Sequence, residues 1–86
     1  MNRLDFRIQD WPAAEREYNC IDSLQKELTI CIERNNFATA ELCAEDIISS
    51  IKEIRRMQKA KQEHDRLVEM VEMMKREGIN LSVVAR

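Results

Sequence analysis

Apolar residues recur at intervals of three and four along most of this chain, which is the spacing of one face of an α-helix. One such stripe falls within residues 11–34 and a second begins at residue 37. Between them, Asn35 and Asn36 form a turn-like pair, because asparagine tolerates left-handed backbone and its side chain can cap a new helix. The pattern predicts an all-α antiparallel helical hairpin, with helix 1 at about 11–34 and helix 2 at about 37–77.

The stripes also predict which side chains form the contact between the two helices. In helix 1 the stripe includes Ala14, Tyr18, Ile21, Leu24, Leu28, Cys31 and Ile32. In helix 2 its first part includes Phe37, Ala40, Ala44, Ile47, Ile51 and Ile54. We expect these residues to be buried between the helices.

The single proline and the single glycine of the chain bracket this hairpin. Pro12 suits the first turn of helix 1, and Asp10 stands where an N-cap is expected. Gly78 suits the left-handed position just past a helix end. The hairpin is therefore expected to occupy residues 10–78, followed by an apolar tail at 79–86 that is disordered, packs locally or docks on another protein.

The two predicted helices differ in length. At 1.5 Å per residue, helix 1 spans roughly 35 Å and helix 2 roughly 60 Å, so the distal part of helix 2 has no partner within the hairpin. That part carries a further apolar stripe with steps of three and four, which is typical of a coiled coil. We expect this stripe to cause self-association as a coiled-coil or four-helix-bundle dimer. Its residues are Met57, Ala60, His64, Leu67, Val71 and Met74.

Charges beside this stripe favour an antiparallel homodimer. A parallel pairing would oppose Arg56 to Lys61 of the second copy, whereas an antiparallel pairing would bring Arg56 toward Glu77. Three successive steps of three between Ile51 and Ala60 also mark a stammer, which turns the distal stripe toward a different neighbour.

The residues before the hairpin follow a different pattern. Leu4, Phe6 and Ile8 alternate with polar residues, which is the period of a strand. We expect residues 1–9 to form a short extended arm that adds to a sheet edge of another chain or lies loosely against the helices. Phe6 and Trp11 are candidate anchors for a protein partner, since aromatic residues are enriched in binding hot spots. Trp11 has a simpler alternative as a cap over the first turn of helix 1.

Charge is unevenly distributed along helix 2. The whole chain carries a net charge of −2, which gives no overall attraction to nucleic acid or to anionic lipid. Four cations nevertheless share one helix face, at spacings i, i+3, i+4 and i+7. Such a stripe either contacts phosphates in a salt-sensitive manner, binds an acidic protein, or is simply solvated. Its residues are Lys52, Arg55, Arg56 and Lys59.

Catalytic chemistry finds little support in the sequence. One glycine cannot form a phosphate-binding glycine loop, and Lys61 occupies the position where a Glu-x-x-His metal motif ending at His64 needs glutamate. Three cysteines without close pairing, Cys20, Cys31 and Cys43, indicate reduced thiols packed as small apolar groups. We therefore predict no enzyme, no metal and no cofactor.

The pattern as a whole indicates a binding protein. No stretch of about 18 apolar residues and no signal-peptide pattern occurs, which favours a cytoplasmic location without membrane contact. Helical hairpins of this size are common among small bacterial and phage-type regulators. The sequence predicts a noncatalytic protein–protein interaction module, a small dimeric adaptor, regulator or inhibitor that binds itself and an unidentified protein. The alternative is a small nucleic-acid-associated protein that contacts phosphates through the basic stripe.

Overall fold

Two long helices form an antiparallel hairpin in the computed structural model, which describes residues 1–78. Helix α1 covers Trp11–Glu33 and helix α2 covers Phe37–Arg76. The two helices pack against each other, and no strand occurs within the described residues. The all-α hairpin is confirmed, whereas self-association stays a prediction. The tail predicted at 79–86 lies outside the described residues.

The two asparagines form the turn between the helices. Asn35 has a φ of +57°, in the left-handed region. The side-chain oxygen of Asn36 accepts a hydrogen bond from the backbone N–H of Thr39 at 3.3 Å and so caps α2. The backbone N–H of Asn36 donates to the carbonyl of Cys31 at 2.8 Å, which closes the end of α1. One asparagine thus supplies the left-handed turn and the other the cap.

The start of α1 and the end of α2 agree with their predicted capping to different extents. Gly78 has a φ of +77° and its N–H donates to the carbonyl of Lys75, as a left-handed helix stop requires. Pro12 stands in the first turn of α1. Asp10, however, makes no capping hydrogen bond, because its carboxylate accepts from the side chain of Arg7 at 2.9 Å. Asp10 therefore occupies the predicted N-cap position but does not cap α1 through its side chain.

The first ten residues form two short 3₁₀ turns, Arg3–Asp5 and Ile8–Asp10. The prediction of a strand within residues 1–9 is therefore wrong. Of the three alternating apolar residues, only Phe6 is buried, with 2% of its surface exposed, while the other two are 79% and 74% exposed. The alternation therefore does not mark one buried face.

The hydrophobic core lies where these turns cross the hairpin. Phe6 and Met57 are fully buried there, in contact with Ala14 and Ile54. Trp11, Ala13 and Ile21 pack against this cluster. Burial of a large apolar side chain contributes about 1.5–3 kcal/mol, so Phe6 fastens the N-terminal turns to both helices.

The molecule is a rod. Its principal dimensions are 66 × 21 × 15 Å, and its radius of gyration is 20.0 Å, against about 12 Å expected for a compact domain of this length. Helix α2 has 40 residues and α1 has 23, so α2 continues well beyond α1. From residue 62 to residue 78, every residue except Met74 is exposed.

Candidate functional site

An exposed apolar surface covers one side of the projecting part of α2. Leu67 is 61% exposed and Val71 is 39% exposed. With their neighbours they line a shallow groove that also includes Glu72 and Lys75. We call this surface the distal face; it consists of His64, Leu67, Val68, Val71 and Met74. Because apolar surface in water is costly by about 25 cal/mol per Å², a protein that covers the distal face gains binding energy.

The predicted self-association stripe is divided between this surface and the core. Met57 is fully buried within its own chain, and Ala60 is half-buried. At about 100° per residue, Val71 points roughly 100° away from the buried Ile54 around α2. Met57 therefore belongs to the core of the hairpin, and the exposed stripe begins only at His64.

The four predicted cations lie together on one exposed face of α2. They line a shallow open surface with Gln58 and Gln62. Arg56 donates to the carboxylate of Glu53, with Nε 2.9 Å from the oxygen, and this hydrogen bond lowers the pKa of Glu53 and raises that of Arg56. Within residues 1–78, the other three cations form no ion pair. The basic stripe thus keeps three free positive charges: Lys52, Arg55 and Lys59.

Phe6 and Trp11 serve the fold of the N-terminus. The indole N–H of Trp11 lies 2.8 Å from the carbonyl oxygen of Arg3 and 3.2 Å from that of Phe6, and donates to both. The Arg3 guanidinium lies over the indole ring, 5.1 Å from its centroid, and donates to Glu15 at 2.7 Å. Phe6 is buried, with 2% of its surface exposed, so it has no surface for a partner, which corrects its assignment as an anchor. Trp11 holds the first turns against α1.

A second exposed surface includes residues that the sequence pattern predicted to be buried in the hairpin, together with Ile48, which belonged to neither predicted stripe. Four of its side chains are between 39% and 51% exposed: Tyr18, Ile32, Ile48 and Ile51. We call this surface the apolar side of the hairpin. The groove on the opposite side is mostly polar and includes Cys20, Ser49 and Glu53. The sequence indicates this surface through the width of the apolar stripe on α2. The side chains of Ile47, Ile48 and Ile51 together occupy a wider arc of the helix than one neighbouring helix can cover.

The three cysteines differ in burial. Cys31 and Cys43 are buried, as predicted, but Cys20 is exposed, and all three thiols are free. Desolvation raises the pKa of the Cys31 thiol, and the nearby Glu27 and Cys43 raise it further. Within residues 1–78, no three histidine, cysteine or acidic side chains come together in an arrangement that could hold a metal ion.

Comparisons with known proteins identify the family of this chain. Neither helix of the described chain has a stretch both long and apolar enough to cross a bilayer. No curated protein and no solved structure matches the sequence. A family model described as "Uncharacterized YqaH-like" matches residues 1–86. The chain therefore belongs to the YqaH-like family.

Proposed function

We propose that this chain is a noncatalytic protein–protein interaction module, a small helical adaptor or regulator that binds another protein through its distal face. The supporting observation is the apolar surface around Leu67 and Val71 on a helix end that no other described residue covers. Exposed apolar patches on a small chain mark interaction sites.

The shape of the distal face indicates the kind of partner segment. From His64 to Met74 the face extends about 15 Å along one side of a regular helix, which corresponds to roughly three helical turns. Its apolar residues follow steps of three and four. An amphipathic helix that presents the same spacing packs well against such a face, as in helix-in-groove recognition.

A pair of matched substitutions tests this proposal. Leu67→Glu places a charge at the centre of the distal face, whereas Met73→Glu places the same charge on another exposed apolar residue of α2. Met73 lies about 160° around the helix from Val71, away from the face. In affinity purification from the native cell, we expect a stoichiometric protein partner with the wild type and with Met73→Glu, and its loss with Leu67→Glu.

The opposite results would contradict the proposal. Recovery of the same partner with Leu67→Glu would exclude the distal face as its binding site. Loss with both variants, together with unchanged helix content in circular dichroism, would show that the partner does not distinguish the two sides of α2.

Phosphate binding by the basic stripe is the second candidate function. It is favoured by the three cations that remain unpaired on an open surface within residues 1–78. If they meet nucleic-acid phosphates, a gel shift should weaken steeply with added salt and with the double change Arg55→Ala and Arg56→Ala. The absence of a shift at low salt would dismiss this function.

A further inference from the structure

The apolar side of the hairpin is exposed on both helices. Tyr18 and Ile32 on α1 are 14 residues apart, which places them about 21 Å apart along the helix. Ile48 and Ile51 on α2 are 51% and 43% exposed. An apolar surface made by two adjacent helices is wider than a single exposed stripe, and it resembles an unpaired layer of a four-helix bundle.

Helical geometry shows that these residues share one side of the hairpin. Cys20 and Glu53 line the polar groove. Tyr18 is two residues before Cys20, and Ile51 is two residues before Glu53, so each points about 160° away from the groove residue. Both side chains therefore lie on the side opposite the groove.

The charges on α2 are arranged symmetrically about Ile48. Glu41 stands seven residues before Ile48, and Arg55 stands seven residues after it. Seven residues are close to two full turns, so both charges lie at the same edge of the helix as Ile48. Both side chains are exposed, and neither forms an ion pair with another residue of 1–78.

This arrangement is complementary to itself in one orientation. When two α2 helices cross antiparallel at Ile48, Glu41 of each copy faces Arg55 of the other. A parallel pairing would place Glu41 against Glu41 and Arg55 against Arg55, which is unfavourable. Glu45 and Lys52 approach each other in the same antiparallel register.

We propose that a second copy of this chain covers the apolar side, forming an antiparallel four-helix dimer with its two-fold axis near Ile48. This dimer uses a different surface from the distal stripe that the apolar spacing predicts for self-association. It leaves the distal face of each copy open, and so goes beyond the proposed function.

Sedimentation equilibrium of the full chain tests whether the apolar side is the dimer interface. Ile48→Glu and Ile51→Glu are expected to convert the dimer to single chains, while circular dichroism shows unchanged helix content because both positions are exposed. Leu42→Glu is the matched control, since Leu42 is 61% exposed and lies about 120° around α2 from Ile48. It is expected to remain dimeric, as is Leu67→Glu.

Exchange of the charges at Glu41 and Arg55 tests the antiparallel orientation of the two copies. Glu41→Arg and Arg55→Glu each create two like-charge contacts, and each is expected to raise the dimer dissociation constant about tenfold. The double variant should recover the affinity of the wild type. An equimolar mixture of the two single variants should form heterodimers, because opposite charges then meet at both contacts.

Three outcomes would overturn the proposal. The first is a wild-type chain that stays single up to millimolar concentration. The second is a dimer that Leu67→Glu dissociates and Ile48→Glu does not, since the distal face would then carry the self-association. The third is a double charge variant no tighter than either single variant, which would exclude the antiparallel pairing.

Discussion

Trp11 connects the N-terminal turns to α1 through its indole N–H, which donates to two backbone carbonyls. Trp11→Phe keeps an aromatic ring beneath Arg3 but removes this donor. We expect the free energy of unfolding to fall by about 1 kcal/mol, the usual net value of such a hydrogen bond. Urea denaturation measures the change, with Leu42→Met, at an exposed position away from the apolar side, as a control that should not alter the midpoint. Equal midpoints for both variants would show that the indole hydrogen bonds do not stabilise the fold.

Residues whose role is local were predictable from the sequence. Asn35, Asn36 and Gly78 act through their own backbone or through atoms a few residues away, so their chemistry is visible in the sequence. The capping bond of Asp10 and the burial of Phe6 were not predictable because competing or distant contacts decide them. Arg7 takes the carboxylate of Asp10, and the buried site of Phe6 exists only after α2 returns along α1.

The two halves of α2 are stabilised differently. Its first half packs against α1 and the N-terminal turns, whereas from residue 62 onward it is almost entirely exposed. A helix without tertiary contacts is only marginally stable in water. In hydrogen–deuterium exchange we expect amides at 65–76 to exchange faster than those at 40–57. Uniform protection along the helix would contradict this expectation and would indicate that the distal half is covered in solution.

Hydrophobic periodicity predicted both helices but not the limits of their buried faces. The spacing places Met57 at the start of the distal stripe because it fits both stripes equally well. Its burial depends on Phe6, which is 51 residues earlier in the chain. Tyr18, Ile32 and Ile51 fit the core period but remain exposed, because one neighbouring helix covers only part of a wide stripe.

At the scale of the whole molecule, the sequence predicted an elongated hairpin with one overhanging helix, and helix lengths alone carry that result. The surface that the overhang presents could not be predicted, since the N-terminal turns cover one part of the stripe and leave the rest open. The predicted self-association stripe therefore extends too far toward the middle of α2, because Met57 is buried in the core.

The continuous length of α2 determines how far each distal face lies from the centre of the proposed dimer. Val71 is 23 residues beyond Ile48, which corresponds to about 35 Å of continuous helix. In the proposed dimer the projecting ends of the two α2 helices point in opposite directions, so the two distal faces are separated by about 70 Å. Such a dimer selects targets by the spacing of their binding sites. A target with two sites at this separation binds both distal faces with avidity, whereas closer or more distant pairs of sites bind one distal face alone.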